Sequence, residues 1–259
     1  MSDGRAWRCV LDNGSVTTPR RRLTLQVVVP DAAQRQAYVE VRPLVDGEDF
    51  LMDVFTVGPG EDPGRLLRPG SPLLPADKPH EVRVAEATCT EGCCGAVYVT
   101  IRREGDSVVW SDWRNPDARN FDLPEFWFDA TEYQAEVERA VADHGWEWPA
   151  RTVARLLKQD LAERTDWLMH WECELGAVSA WHWEPDQINV FFFHPGSPTV
   201  EDRPWLQFRQ RLAVTDADPA RQAEQLAQQL IARDPRRTAE VCGGSADFAR
   251  KLGYPWIGG

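Results

Sequence analysis

The spacing of the apolar residues changes along the chain, and nothing else in the sequence constrains the fold as strongly. In Leu23-Thr-Leu-Gln-Val-Val-Val29 and in Glu81-Val-Arg-Val-Ala85 apolar and polar residues alternate and β-branched side chains are common, which predicts half-buried strands. From Glu132 to His144, and again from Pro149 onward, the apolar residues recur at helical spacing on one stripe. Past residue 164 strand texture returns, over 171–175, 178–183, 187–194 and 205–214. Pro219–Ala232 then reads as an amphipathic helix, with a short helix near Ala246–Leu252. Strands, two helices, a meander and a helix in that order predict an α+β protein with largely antiparallel sheets. The texture change near 165 predicts a β-rich domain over 1–165 and a meander with C-terminal helices over 166–259.

Two hairpins are expected. Asp46-Gly47 lies between Ala37–Arg42 and Phe50–Phe55, and Asp-Gly between apolar runs predicts a tight turn joining two strands. Ala96–Ile101 and Val108–Trp113 flank the turn Arg103–Asp106, and Phe126-Trp-Phe128 is placed to close the same sheet. Between the hairpins, 10 of the 22 positions from 58 to 79 are Gly or Pro. That leaves room for a single turn at Arg65-Leu-Leu67 and no longer element, and the apolar content predicts a segment packed over a sheet. Asp129-Ala-Thr131 offers an N-cap, as does Ser245, which is followed by Ala-Asp and so forms no nucleophile elbow.

Charge narrows the partners. Forty-one acidic residues against 29 basic ones give a net charge of −12, which repels a phosphate backbone and leaves nucleic acid the least favoured ligand. A basic protein partner is the natural complement. No apolar run approaches the roughly 18 residues of a membrane span. The segment Met1–Cys9 has no signal-peptide stretch, so a reducing cytoplasm is expected, with the six cysteines as thiols or metal ligands. Isolated Cys9, Cys173 and Cys242 read as small buried hydrophobes.

The densest chemistry is Cys89-Thr-Glu-Gly-Cys93-Cys94-Gly95, between two expected strands. Its glycines allow a fold tight enough to bring Cys89 near Cys93 or Cys94, as zinc knuckles present sulfur. A closed zinc site needs a fourth ligand from a distance, and no Lys, Arg or His adjoins the thiols to activate a redox pair. A compact structural turn is the third reading. Twelve tryptophans are many for 259 residues, and Trp110-Ser-Asp-Trp113-Arg-Asn115 mixes rings, a carboxylate and a guanidinium on one strand end. Trp110, Asp112, Trp113 and Arg114 are therefore the expected docking cluster. His170-Trp-Glu172 and His182-Trp-Glu184 match half of a zinc deaminase signature but lack its Pro-Cys-x-x-Cys half, and read as structural polar groups. Phosphate-loop, dinucleotide-turn, zincin and Gly-x-Ser-x-Gly motifs are all missing.

The cysteine loop, together with Val108-Val-Trp-Ser-Asp-Trp113 and Trp146-Glu-Trp-Pro-Ala-Arg151, resembles a family of uncharacterised actinobacterial proteins. The likeness extends to Thr238–Ser245 and Leu252–Trp256; it implies a bacterial, cytoplasmic origin and transfers no catalytic residue. The expectation is a non-enzymatic acidic protein-binding module of the immunity or antitoxin kind, with no cofactor. The alternative is a zinc- or thiol-dependent enzyme or sensor using Cys89, Cys93 and Cys94.

Overall fold

The computed structural model describes residues 19–89, 91–117, 123–164, 166–197 and 204–256. The expected polar lead-in and Cys9 lie outside them. The fold is α+β, with both larger sheets mostly antiparallel. Its contacts resolve two compact units.

The first unit comprises the chain up to Val28 and Glu40–Ala142. Strands β1 (Arg20–Arg21), β4 (His80–Glu86), β5 (Ala96–Glu104), β6 (Ser107–Arg114) and β7 (Phe126–Asp129) form a sheet in the order β1-β7-β6-β5-β4. Only the β1–β7 pairing is parallel. A separate antiparallel ribbon pairs β2 (Leu23–Val28) with β3 (Glu40–Val45). Helix α4 (Ala130–Ala142) packs against β2 and β7, and Asp129 Oδ1 accepts from the Thr131 and Glu132 amides at its start. The core joins Val82, Val99, Ile101, Val108, Trp110 and Phe128 of the sheet to Tyr133 and Val137 of α4.

The Gly- and Pro-rich stretch behaves as expected: it holds one turn, α2 (Pro63–Leu66), and buries Leu66 and Leu73 in this core. The first hairpin does not form. Asp46 and Gly47 do turn, with φ of +54° and +84°, but Phe50–Val54 is a short helix, α1, on β3. Asp49 caps it through the Met52 amide, and a five-residue helix buries Leu51 without needing a strand partner. The strand at its turn, β3, pairs backward with β2 instead.

The second unit comprises Val29–Val39 and Asp143–Gly259. Strands β8 (Glu174–Ser179), β9 (Gln187–His194), β10 (Leu206–Ala213) and β11 (Glu240–Gly244) form an antiparallel sheet in the order β11-β10-β9-β8. Helix α5 (Pro149–Ala162) lies against α7 (Pro219–Ile231) and on β8 and β9. The expected division near 165 therefore moves to residue 143, because Val153, Leu157 and Leu161 of α5 share a core with Ile188, Phe192 and Phe208 of this sheet. A short helix, α6 (Asp166–His170), precedes the sheet, and the strands expected over 171–175 and 178–183 are a single one, β8. Ser245 caps the last helix, α8 (Ala246–Leu252), through the Phe248 amide.

Candidate functional site

The cysteine loop joins β4 to β5 at the rim of the first sheet. Backbone bonds clamp both its ends: the Ala87 amide donates to the Gly95 carbonyl, and the Thr88 amide and hydroxyl both donate to the Val57 carbonyl. Between these clamps Glu91–Cys94 makes one helical turn, α3, closed by the Gly95 amide on the Glu91 carbonyl. Gly95 has a φ of +87°, and a Cβ there would meet Asn115 Oδ1 at 2.4 Å, so only glycine fits.

This turn gathers the three expected ligands. The sulfurs of Cys89, Cys93 and Cys94 all lie within 4.8 Å of one another, and those of Cys93 and Cys94 are 3.7 Å apart. Cys89 and Cys93 are exposed and Cys94 is half-buried. A tetrahedral ion bound at the usual Zn–S length of about 2.3 Å holds its sulfurs about 3.8 Å apart. The cluster therefore needs a closure of about 1 Å at most. Hydrogen bonding, first to Cys89 and then to Cys93, pushes the Cys94 thiol up to about 12, so it is a thiol at neutral pH until a metal displaces its proton.

Beneath the sulfurs lies a charged ladder that the sequence alone did not reveal. Glu91 accepts from the Tyr98 hydroxyl at 2.8 Å and from Arg83 at 3.3 Å. Arg83 also reaches Glu86 at 2.7 Å and the buried Glu61 at 2.5 Å. Arg114 stands 4.2 Å over the Tyr98 ring and forms a two-pronged pair with Glu81 at 2.7 and 2.8 Å. Burial and the Glu91 carboxylate together push the Tyr98 hydroxyl above its ordinary value, so it remains a donor. Arg83 and Tyr98 are direct cross-strand partners, a relation that appears only once the β4–β5 register is known. The ladder fixes the orientation of α3 through Glu91.

The expected docking cluster comes apart. Trp110 is fully buried; its indole donates to the Tyr133 hydroxyl at 3.0 Å, which in turn donates to the Leu73 carbonyl at 2.6 Å. Trp113 packs on the same core, 5.8 Å from Trp110 and 5.5 Å from Phe50, with its indole on the Pro124 carbonyl. Residues three apart on a regular strand face opposite ways. Here a bulge intervenes: the register shifts between Tyr98 and Thr100, and Asp112 takes a φ of +50°. The extra residue returns Trp113 to the core face. Asp112 is exposed and accepts from Ser111, while Arg114 is spent on Glu81.

The remaining candidates belong to the second unit. Cys173 is buried, and burial pushes its thiol up to about 12. His182 contacts the Gln34 carbonyl at 3.1 Å, and Glu184 accepts from Gln187. His170 and Glu172 are both exposed, with the His170 ring edge-on to Trp171. A cleft of about 650 Å³ between Arg21–Leu23, Phe128–Asp129 and α4 holds Glu136, which already accepts from the Leu25 amide and from Arg139. Among the described residues, no helix is long and apolar enough to cross a membrane. Searches against family models, curated proteins and solved structures found no match.

Proposed function

We propose that the protein is a reversible receptor for a thiophilic metal ion, held by Cys89, Cys93 and Cys94. One observation carries this reading: three sulfurs from a six-residue loop lie within 4.8 Å of one another. Soft thiolate sets select ions such as zinc and Cu(I) over hard, oxygen-preferring ones. The exposure of Cys89 and Cys93 gives the ion a direct path from solvent. Among the described residues no fourth ligand joins the three, which leaves the bound ion exchangeable, as suits sensing better than permanent structural closure.

The test is a titration of reduced, chelator-free protein with cadmium, followed by thiolate-to-metal absorption. One ion per chain is expected, with the signal lost in Cys93→Ser. Wild-type protein that gives no such absorption would refute the reading.

A second reading, capture of a basic protein, keeps the support of the −12 charge and of exposed Met52, Val54 and Val57. Its aromatic anchor at Trp110 is gone. Salt-dependent retention of a cationic partner that survives Met52→Ser would count against that patch.

A further inference from the structure

We propose that the ion this tripod suits best is a trivalent metalloid, arsenite or antimonite, bound by the sulfurs of Cys89, Cys93 and Cys94 with its lone pair directed into solvent. The inference rests on the metal-receptor reading and narrows it to one class of ion.

The donor set is the first argument. It is all sulfur and it is three: among the described residues no histidine or carboxylate joins the group. Zinc closes a structural site with four ligands and would here keep a water. A trivalent metalloid forms three bonds in a pyramid, and its fourth direction is occupied by a lone pair that needs no partner. Cys89, Cys93 and Cys94 come from one loop with their sulfurs within 4.8 Å of one another and two of the three residues exposed, so such a pyramid can close with its lone pair toward solvent.

Charge is the second. The carboxylates next to the loop are Glu86 and Glu91, within a chain of net charge −12. The adjoining guanidiniums, Arg83 and Arg114, are committed to Glu61, Glu86 and Glu91, and to Glu81. Three thiolates around zinc leave a net charge of −1, and around Cu(I) a net charge of −2 (about one unit per sulfur less the ion's own charge). Arsenous acid instead condenses with three thiols. Three As–S bonds form, three As–O bonds break, and each thiol proton leaves with a hydroxide as water. Nothing is oxidised or reduced, and the product is neutral. An anionic surface with its cations already paired favours the neutral product.

The experiment uses the full chain, reduced with a phosphine so that no competing dithiol is present. Arsenite and zinc are added separately and then together, reading ultraviolet As–S absorption, metal content after desalting and the number of thiols masked from alkylation. Expected are one arsenic per chain, three masked thiols mapped to Cys89, Cys93 and Cys94, and displacement of bound zinc by equimolar arsenite. Replacing any one of the three by Ser weakens arsenite binding by about 100-fold. Cys173→Ser leaves it unchanged. Circular dichroism confirms that each variant folds, and thiol masking in the wild type needs no variant at all. If zinc stays bound while arsenite masks fewer than three thiols, the metalloid assignment falls and the metal-receptor reading stands. If no ion masks the thiols, both fall.

Discussion

The cysteines of the two units share a side chain and little else. In the first unit three of them crowd an exposed turn at a sheet rim; in the second, Cys173 is buried and Cys242 half-buried, 3.7 Å from Gln207. Burial foremost pushes Cys173 up to about 12, whereas half-buried Cys94 reaches a similar value chiefly through hydrogen bonding with Cys89 and Cys93. The first cause makes a cysteine inert, because neither solvent nor ligand reaches it. The second is removed as soon as a metal replaces the shared protons. Chemistry here follows from what surrounds the sulfur.

The comparison can be broken at its support. Glu61→Ala strips the buried partner from Arg83, which keeps Glu86 and Glu91, and is expected to cost about 2–3 kcal/mol, read as the urea midpoint of the first unit. A cost below about 1 kcal/mol would show that the exposed thiols stand without the ladder. Next in size, Cys173→Ser replaces a buried thiol, which donates to the Trp171 carbonyl, by a more strongly hydrated hydroxyl and should cost about 1–3 kcal/mol. Cys93→Ser, on an exposed turn, should stay within about 0.5 kcal/mol, and equal losses at the two sites would erase the contrast.

Alkylation sharpens the contrast without mutation. Native protein should be modified at Cys89 and Cys93 and spared at Cys173 until denaturant is added, as resolved by peptide mass. The smallest effect is acidic. Hydrogen bonds from Arg114 to Glu81 and from Arg209 to Glu240 hold both carboxyls below their ordinary 4.5. Their stabilisation is present above that value and fades as pH falls through the lowered ones. Both pairs are partly exposed and screened by water, so each contributes a few tenths of a kcal/mol at most, measurable as a small drop in urea midpoint between pH 5 and pH 3.

Long periodic segments were legible in the sequence. The β5–β6 hairpin and helices α4, α5 and α7 stand close to where spacing placed them. Short apolar runs were not: Phe50–Phe55 fits a strand or a turn of helix equally, and only the Asp49 cap and the burial of Leu51 decide it. Strand β11, at Glu240–Gly244, carries two glycines and a single buried side chain, too little pattern to read. At the site, the sulfur cluster was visible because its ligands are local and flanked by glycine. Its charged support was not, because Glu61, Arg83, Tyr98 and Arg114 come from four separate segments that only register brings together.

The bulge at Asp112 has one more effect. Were the pairing of Ile101 with Trp110 and of Thr100 with Ser111 simply continued, Tyr98 would face Trp113; the added residue sets Arg114 there instead. A cation thus covers the phenol ring that steadies Glu91, while both indoles remain with the interior. One surplus backbone unit sorts rings from charges along this edge, and forcing the full-length strand into unbroken pairing would exchange the two populations.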